Sequence, residues 1–332
     1  MTMRVSLGQR RGDSLSSRLT GGLSYGLSNG LAYRLICTLS YLGLLSLGLF
    51  IWAGSAAAAS QAQAASLSVF ENKVGEYKVV EHKSAEHEAA EPIELDGEIQ
   101  AAFEALGARG VLVLMDDNRG ALSTNDLARS RHAYIPASTF KIPHSLLLLE
   151  AGIVKDEHSQ FAWDGVKRTY NPWNRDHSFT GAMKYSVVPI YQKLALQLGS
   201  ERMAQGLAHL GYGNANIGGG LDSFWLDGDL AISALEQVHF LRRLYHNQLP
   251  VSERSQRIVK TMMLNQANGE WVLRAKTGYG VRQGQKLGWW VGWLEREENT
   301  YFFAMNMDIA TDNDLALRKR VVKQLLTAKG WM

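Results

Sequence analysis

Sulfur is almost missing from this sequence, whose 332 residues include one cysteine, Cys37. A lone thiol excludes an internal disulfide and a cysteine-ligated metal site. Net charge is nearly missing too: 35 Lys and Arg face 32 Asp and Glu. Five of those basic residues and one acid fall before Ser60, leaving 30 against 31 in the rest of the chain. In a chain so balanced, a nucleic-acid partner loses its main support. It has no repeat period, and its hydrophobic content of 46% excludes a chain too polar to fold.

What charge bias exists sits at the N-terminus. Arg4, Arg10, Arg11, Arg18 and Arg34 precede an apolar run from Leu35 to Ala59. A basic flank, an apolar core and small residues at the end form the pattern of a secretory signal. Cleavage is expected after Ala57-Ala58-Ala59 or Ala62-Gln63-Ala64, so residues 1–59 read as a signal peptide. The alternative is an uncleaved anchor, since the run is long enough to span a bilayer. Ile36 is too bulky for lipoprotein processing at Cys37. Once the leader is removed, the mature chain has no thiol nucleophile.

Residues 60–95 read as a charged, poorly packed lead-in, with a first strand expected near Tyr77-Lys78-Val79-Val80. Residues 96–332 read as a single catalytic domain. A short helix is expected from Gly97 to Leu106, a buried strand over Gly110–Met115 and a turn at Asp116–Gly120. The middle, about 138–250, reads as helices broken by Gly and Asn loops. Three strand-like runs follow at Trp271–Thr277, Gly288–Leu294 and Tyr301–Met307, then a helix over Asp314–Ala328. Strands at both ends of a helical middle predict an α/β fold: an antiparallel sheet flanked by helices, with an all-helical lobe inserted and a cleft between the lobes.

Ser138-Thr139-Phe140-Lys141 opens an apolar helix, and residues three apart share a helix face. A serine hydroxyl needs a base to become a nucleophile, and a lysine serves as one only when its pKa falls. Burial in the Leu-rich surroundings would supply that fall. Roughly one S-x-x-K arises by chance in a chain this long, so the motif alone is also consistent with an ordinary helix start. Lys276-Thr277-Gly278 suits a strand lining a cleft: an ammonium and a hydroxyl for an anionic group, and Gly for close approach of substrate. It also fits a strand running into a turn. Ser186-Val187-Val188 offers a serine that could shuttle a proton.

The order of these motifs is more informative than any one of them. S-T-F-K, S-x-V at Ser186, Tyr212-Gly213-Asn214, K-T-G and the W-x-x-G-W run through Trp290-Val291-Gly292-Trp293 follow one another with family-like spacing. From about Gly107 onward the chain resembles the class D β-lactamases, the oxacillinase family. Trp173-Asn174-Arg175-Asp176-His177 and Ala304-Met305-Asn306-Met307-Asp308 resemble its carbapenem-hydrolysing branch. Gly280-Val281-Arg282-Gln283-Gly284, in an expected loop from Tyr279 to Gln285, departs from that branch.

The resemblance implies a periplasmic enzyme acting on penicillin-type β-lactams, and on carbapenems if the branch holds. It implies Ser138 as nucleophile and Lys141 carboxylated by carbon dioxide as the base, with no other cofactor and no metal. Trp225 would donate its indole N–H to the carbamate. The N–H groups of Ser138 and Tyr279 would form the oxyanion hole, and Ser186, tuned by Lys276, would protonate the lactam nitrogen. Thr277, Gly278 and Arg318 would hold the substrate, Arg318 and Thr277 binding its carboxylate. Trp173 and Tyr185 would form apolar walls, while Val188 and Leu226 would cover the carbamate. Tyr212 is counted with the substrate site, as a residue orienting a hydrogen-bond network. Arg282 would either pair with Asp227 or be solvated. The small-molecule β-lactam is the expected partner, without membrane attachment after cleavage; a homodimer is the assembly that the family suggests.

A β-lactam sensor domain or a cell-wall transpeptidase would share S-x-x-K and K-T-G but stay acylated. A non-enzymatic binding module would not need nucleophile, base and anion-binding groups together. The sequence has no His-x-His-x-Asp cluster of the kind used in metal-dependent lactam hydrolysis.

Overall fold

The computed structural model of the chain describes residues 92–332. The leader, Cys37, the expected strand near Tyr77–Val80, His82 and His87 lie outside the described residues. The end of the lead-in is structured, because Ile93–Leu95 forms strand β1. Asp96 then caps α1 (Gly97–Ala105), its carboxylate accepting the N–H of Glu98 and Ile99. β2 (Gly110–Asp116) and β3 (Ala121–Thr124) follow, then α2 (Leu127–Arg131). A 3-10 turn, Ala137–Phe140, runs directly into α3 (Lys141–Glu150).

Next come β4 (Gln160–Phe161) and β5 (His177–Ser178), a two-stranded ribbon. Helices α4 (Phe179–Lys184), α5 (Val188–Leu198), α6 (Ser200–Leu210), α7 (Ala234–Tyr245) and α8 (Glu253–Met262) follow. The chain ends with β6 (Leu264–Ala267), β7 (Trp271–Arg282), β8 (Gln285–Arg296), β9 (Thr300–Asp308) and α9 (Leu317–Ala328). In α3, Lys141 through Leu149 are all buried, so this helix is enclosed on every side rather than amphipathic.

The large sheet has the order β1-β3-β2-β9-β8-β7-β6. Distant segments close it, since β2 pairs antiparallel with β9 from Gly110↔Met307 to Asp116↔Tyr301. Only the edge departs from the antiparallel expectation: β1 runs parallel to β3. Both faces are covered. Val111, Val113, Met115, Trp289, Val291 and Trp293 pack with the helices of the middle segment. Leu112, Leu114, Trp290 and Leu294 pack with Ile99 and Phe103 of α1 and with Val321, Val322, Leu325 and Leu326 of α9. Two buried faces explain why β2 reads as an unbroken apolar run instead of alternating.

The C-terminal strands are longer than their apolar cores suggest. β7 and β8 pair without interruption from Trp271↔Arg296 to Arg282↔Gln285. The segment expected as a loop from Tyr279 to Gln285 is therefore the end of a hairpin. Its two turn residues, Gln283 and Gly284, have φ of 50° and 80°, the left-handed pair that matches strand twist. The final helix begins at Leu317 rather than Asp314, because Asp312–Ala316 forms a 3-10 turn first.

Gly292 shows how tightly β7 and β8 are joined. A Cβ there would lie 2.1 Å from the Arg274 carbonyl oxygen and 2.8 Å from Ala275 Cα. Gly292→Ala is expected to lower the unfolding free energy by about 1–3 kcal/mol. Urea denaturation would read this as a lower midpoint at unchanged slope, and an unmoved midpoint would contradict the close packing.

Candidate active site

Ser138 is the second residue of the 3-10 turn that feeds α3, and Lys141 is the first residue of the helix. Both are buried, Lys141 completely. Its Nζ donates to Ser138 Oγ over 3.3 Å and lies 4.8 Å from the centre of the Tyr191 ring. Burial alone pushes the amine from its ordinary 10.5 down to about 7. A lysine in that range is substantially neutral near physiological pH and can act as a base.

The turn is held from several sides. Trp289 Nε1 donates to the Ile135 carbonyl over 2.9 Å, and Thr139 Oγ1 donates to the Pro136 carbonyl over 2.7 Å. Gln237 of α7 bridges Thr139 Oγ1 at 3.0 Å and Tyr212 Oη at 3.2 Å. Ala137, just before the serine, has φ of 48°. Such a backbone is costly for an alanine and persists only when its surroundings over-determine it.

β7 packs along the same turn, and its glycines permit the approach. A Cβ on Gly278 would lie 3.0 Å from the Pro136 carbonyl oxygen; one on Gly280 would lie 2.7 Å from Ile135 Cδ1. This corrects the reading of Gly278: its missing side chain admits the protein's own turn rather than a substrate backbone. β6 pairs with β7 only as far as Arg274, and the N–H of Ala275 is the next to be used, by the Met263 carbonyl. Backbone groups alternate sides along a strand, so those of Thr277 and Tyr279 point to this same edge beyond the end of β6. The N–H of Tyr279 is thus aimed out of the sheet, as an oxyanion-hole donor must be.

Lys276 is buried and donates to Ser186 Oγ and, over 2.8 Å, to the Thr277 carbonyl. Burial, then repulsion from Lys141 and Arg318, pushes its pKa well below the ordinary lysine value. Ser186 sits between α4 and α5 with φ of 53°, a second strained non-glycine residue. Thr277 is half-buried, and Arg318 of α9 donates from Nη1 to the Gly278 carbonyl beside it. Burial lowers the Arg318 pKa to about 10, which leaves it a cation at neutral pH.

Trp173 Nε1 donates to the Tyr185 carbonyl over 2.9 Å, joining those two residues into one wall next to Ser186. A cavity of about 390 Å³ beside Trp173 and Val187 does not include Ser138 or Lys141. Val188 opens α5, and the Leu226 carbonyl lies 3.4 Å from where a Cβ of Gly280 would be. Trp225 stacks on Phe140 at 5.2 Å, and its indole N–H is buried with no partner. An unpaired buried donor on a ring packed against Phe140 and His144, the neighbours of Lys141 in sequence and on α3, fits an anionic acceptor of the kind a carboxylated lysine would provide.

Two expectations need correction. Tyr212 has no exposed surface and packs against Phe140 and Phe240, so it presents no face to substrate. It meets the Ser138 turn through its ring on Phe140 and through its hydroxyl, which accepts from Gln237, and burial pushes its phenol pKa up. Arg282 pairs with Asp229 at 3.2 Å, not with Asp227. Asn214 of the Y-G-N motif is also structural: its side chain accepts the N–H of Ala231 and donates to the Asp229 carbonyl. Gly213 allows that approach, since a Cβ would lie 2.2 Å from the Ala231 carbonyl oxygen.

Sequence reasoning passed over Gln237, Trp289 and His144. His144, three residues after Lys141 in α3, and Trp289, which opens the W-x-x-G-W run, carried a local signal; Gln237 carried none. Among the described residues no cluster of three His, Cys, Asp or Glu is placed to hold a metal ion.

Comparison with known proteins gives a consistent result. The family profile for the penicillin-binding protein transpeptidase domain matches residues 110–327. β-Lactamase OXA-48 of Klebsiella pneumoniae is 55% identical over 226 residues, covering 68% of this chain and 85% of that protein. β-Lactamase OXA-10 of Pseudomonas aeruginosa is 44% identical over 231 residues, covering 69% and 87%. Among solved structures, the class D β-lactamase YbXI from Nostoc superposes with a TM-score of 0.69 at 38% identity, over 70% of this chain and 99% of that one. FUS-1 (OXA-85) from Fusobacterium nucleatum subsp. polymorphum gives 0.70 at 36%, over 72% and 100%.

The Lys141 shift makes stability depend on pH. Between about 7 and 10.5 the unfolded chain holds the lysine proton while the folded chain releases it. Stability therefore rises with pH across that window and levels off above it. In buffer freed of carbon dioxide, Lys141→Met should remove up to about 1.4 kcal/mol per pH unit of this slope. Urea unfolding from pH 7 to 10 measures it; equal slopes for variant and wild type would mean that the amine is hydrated.

Proposed function

The chain belongs to the class D β-lactamases and hydrolyses β-lactams; we propose that Ser138 forms the acyl-enzyme and that Lys141 is its base. The observation that carries the assignment is the wholly buried amine 3.3 Å from the serine hydroxyl. When carboxylated by carbon dioxide, Lys141 supplies an anionic general base. Trp225, with its unpaired buried N–H, is the residue that would hold that group.

Ser138 Oγ gives up its proton toward Lys141 and attacks the lactam carbonyl carbon. The carbonyl oxygen takes the negative charge and is met by the N–H groups of Ser138 and Tyr279, an arrangement worth several kcal/mol in a dry site. Ser186 donates a proton to the lactam nitrogen as the C–N bond breaks, and Lys276, hydrogen-bonded to Ser186, sets the field for that transfer. Arg318 and Thr277 hold the substrate carboxylate at the open edge of β7, and Gly278 lets that strand lie against the nucleophile. Trp173 and Tyr185 bound the substrate, and Val188 and Leu226 restrict water at the base. A water deprotonated on the Lys141 side then cleaves the ester and restores Ser138.

The same reading takes penicillin-type β-lactams and carbapenems as substrates, supported for the latter by the phrases Trp173–His177 and Ala304–Asp308. It places the mature chain, a lead-in of residues 60–95 followed by the catalytic domain 96–332, in the periplasm after cleavage of the leader, with a homodimer as the assembly. The sequence pattern of the first 59 residues supports export.

Turnover of a chromogenic β-lactam, with and without added bicarbonate, tests the proposal. Sustained hydrolysis that bicarbonate raises is expected, and Lys141→Ala should lower kcat by at least about 10²–10⁴-fold. One stoichiometric burst that then stops, with bicarbonate present, would instead mark a sensor or transpeptidase that stays acylated.

A further inference from the structure

His144 lies one turn beyond Lys141 on α3 and has no part in the reaction as described. Its ring is completely buried, and neither Nδ1 nor Nε2 has a hydrogen-bond partner. Neutral imidazole has one donor and one acceptor, and burying both unpaired is unfavourable. The neighbours of the ring do not relieve this. Phe140 lies at 5.2 Å and Tyr191 at 5.4 Å between ring centres, and the Tyr191 hydroxyl is already bonded to Ser145 Oγ at 2.9 Å.

The other close ring is Trp225, at 5.7 Å, whose indole N–H is also buried and unpaired. Lys141 Nζ sits over the same Tyr191 ring that His144 touches. Three unpaired polar atoms from two side chains are thus buried in the same aromatic cluster that the amine meets through the Tyr191 ring. Carboxylation joins the neutral amine nitrogen to the carbon of carbon dioxide and releases one proton, leaving an N–H and two carboxylate oxygens. Trp225 has a single N–H to offer those oxygens.

We infer that His144 is a positioning residue that donates a second hydrogen bond to the carboxylated form of Lys141. The inference rests on the carboxylated-lysine reading proposed above. In the uncarboxylated enzyme burial, then repulsion from Lys141, lowers the imidazole pKa to about 3. The neutral ring carries one N–H, and that N–H is the donor the carbamate would meet.

Asn and Leu share the same branched side-chain skeleton, so His144→Asn and His144→Leu both replace the ring and differ chiefly in whether a donor remains. Carbamate formation would be followed by ¹³C NMR with ¹³C-bicarbonate, together with kcat as a function of bicarbonate. His144→Leu should raise the bicarbonate concentration for half-carboxylation by about tenfold or more, with kcat recovering at saturation. His144→Asn should stay within about threefold of wild type. Equal shifts in the two variants, or no shift in His144→Leu, would overturn the inference and leave His144 a packing residue. If His144→Leu does not fold, His144→Phe against His144→Asn decides the matter on the same readings. A wild-type chain with no carbamate resonance at any bicarbonate concentration would instead overturn the underlying reading.

Discussion

Lys141 is enclosed by the helical lobe with one hydrogen bond to its amine, from Nζ to Ser138 Oγ, and with no acid contributing to its titration. Desolvation therefore sets its charge state, and the chemistry of the site depends on that. A hydrated ammonium three residues from the serine would be neither a base nor reactive toward carbon dioxide. The enclosure also explains why α3 is buried on every side. A solvent-exposed face on that helix would bring water to the amine.

A second constraint holds the reacting groups in register. The 3-10 turn carrying Ser138 is clamped by Trp289 on one side and Gln237 on the other, while β7 lies against it through Gly278 and Gly280. Positive φ at Ala137 and Ser186 places two of the strained non-glycine residues at the turn of Ser138 and at Ser186 itself. Strain of this kind survives where packing fixes the geometry more firmly than local preference opposes it. The early end of β6 leaves the far part of β7 with an open backbone edge beside the turn. Sheet, turn and helical lobe thus each supply one side of the cleft.

Much of this was legible in the sequence. The buried run Gly110–Met115, the three C-terminal strands and the order of S-x-x-K, S-x-V and K-T-G each rest on local pattern, which the fold preserves. What escaped depends on contacts between distant segments. Gly278 reads as room for substrate until the turn at Pro136 is seen against it. Arg282 could have met either of two aspartates, and only the path of the chain past Asp229 selects the partner. Tyr212 carries a polar tip that suggests a ligand contact, yet its ring fills the core and its hydroxyl meets Gln237. The Gln283–Gly284 turn was hidden because glutamine is not a usual residue for left-handed backbone.

The most direct test of the account is the titration of the Lys141 side chain itself. In enzyme freed of carbon dioxide, NMR of ¹³C-labelled lysine methylenes would follow it, with the signal assigned by its loss in Lys141→Met. A midpoint near 7 is the predicted result, the value that burial imposes on this amine. A midpoint near the ordinary 10.5 would mean that the amine is hydrated and charged, and that desolvation of Lys141 does not prepare the site.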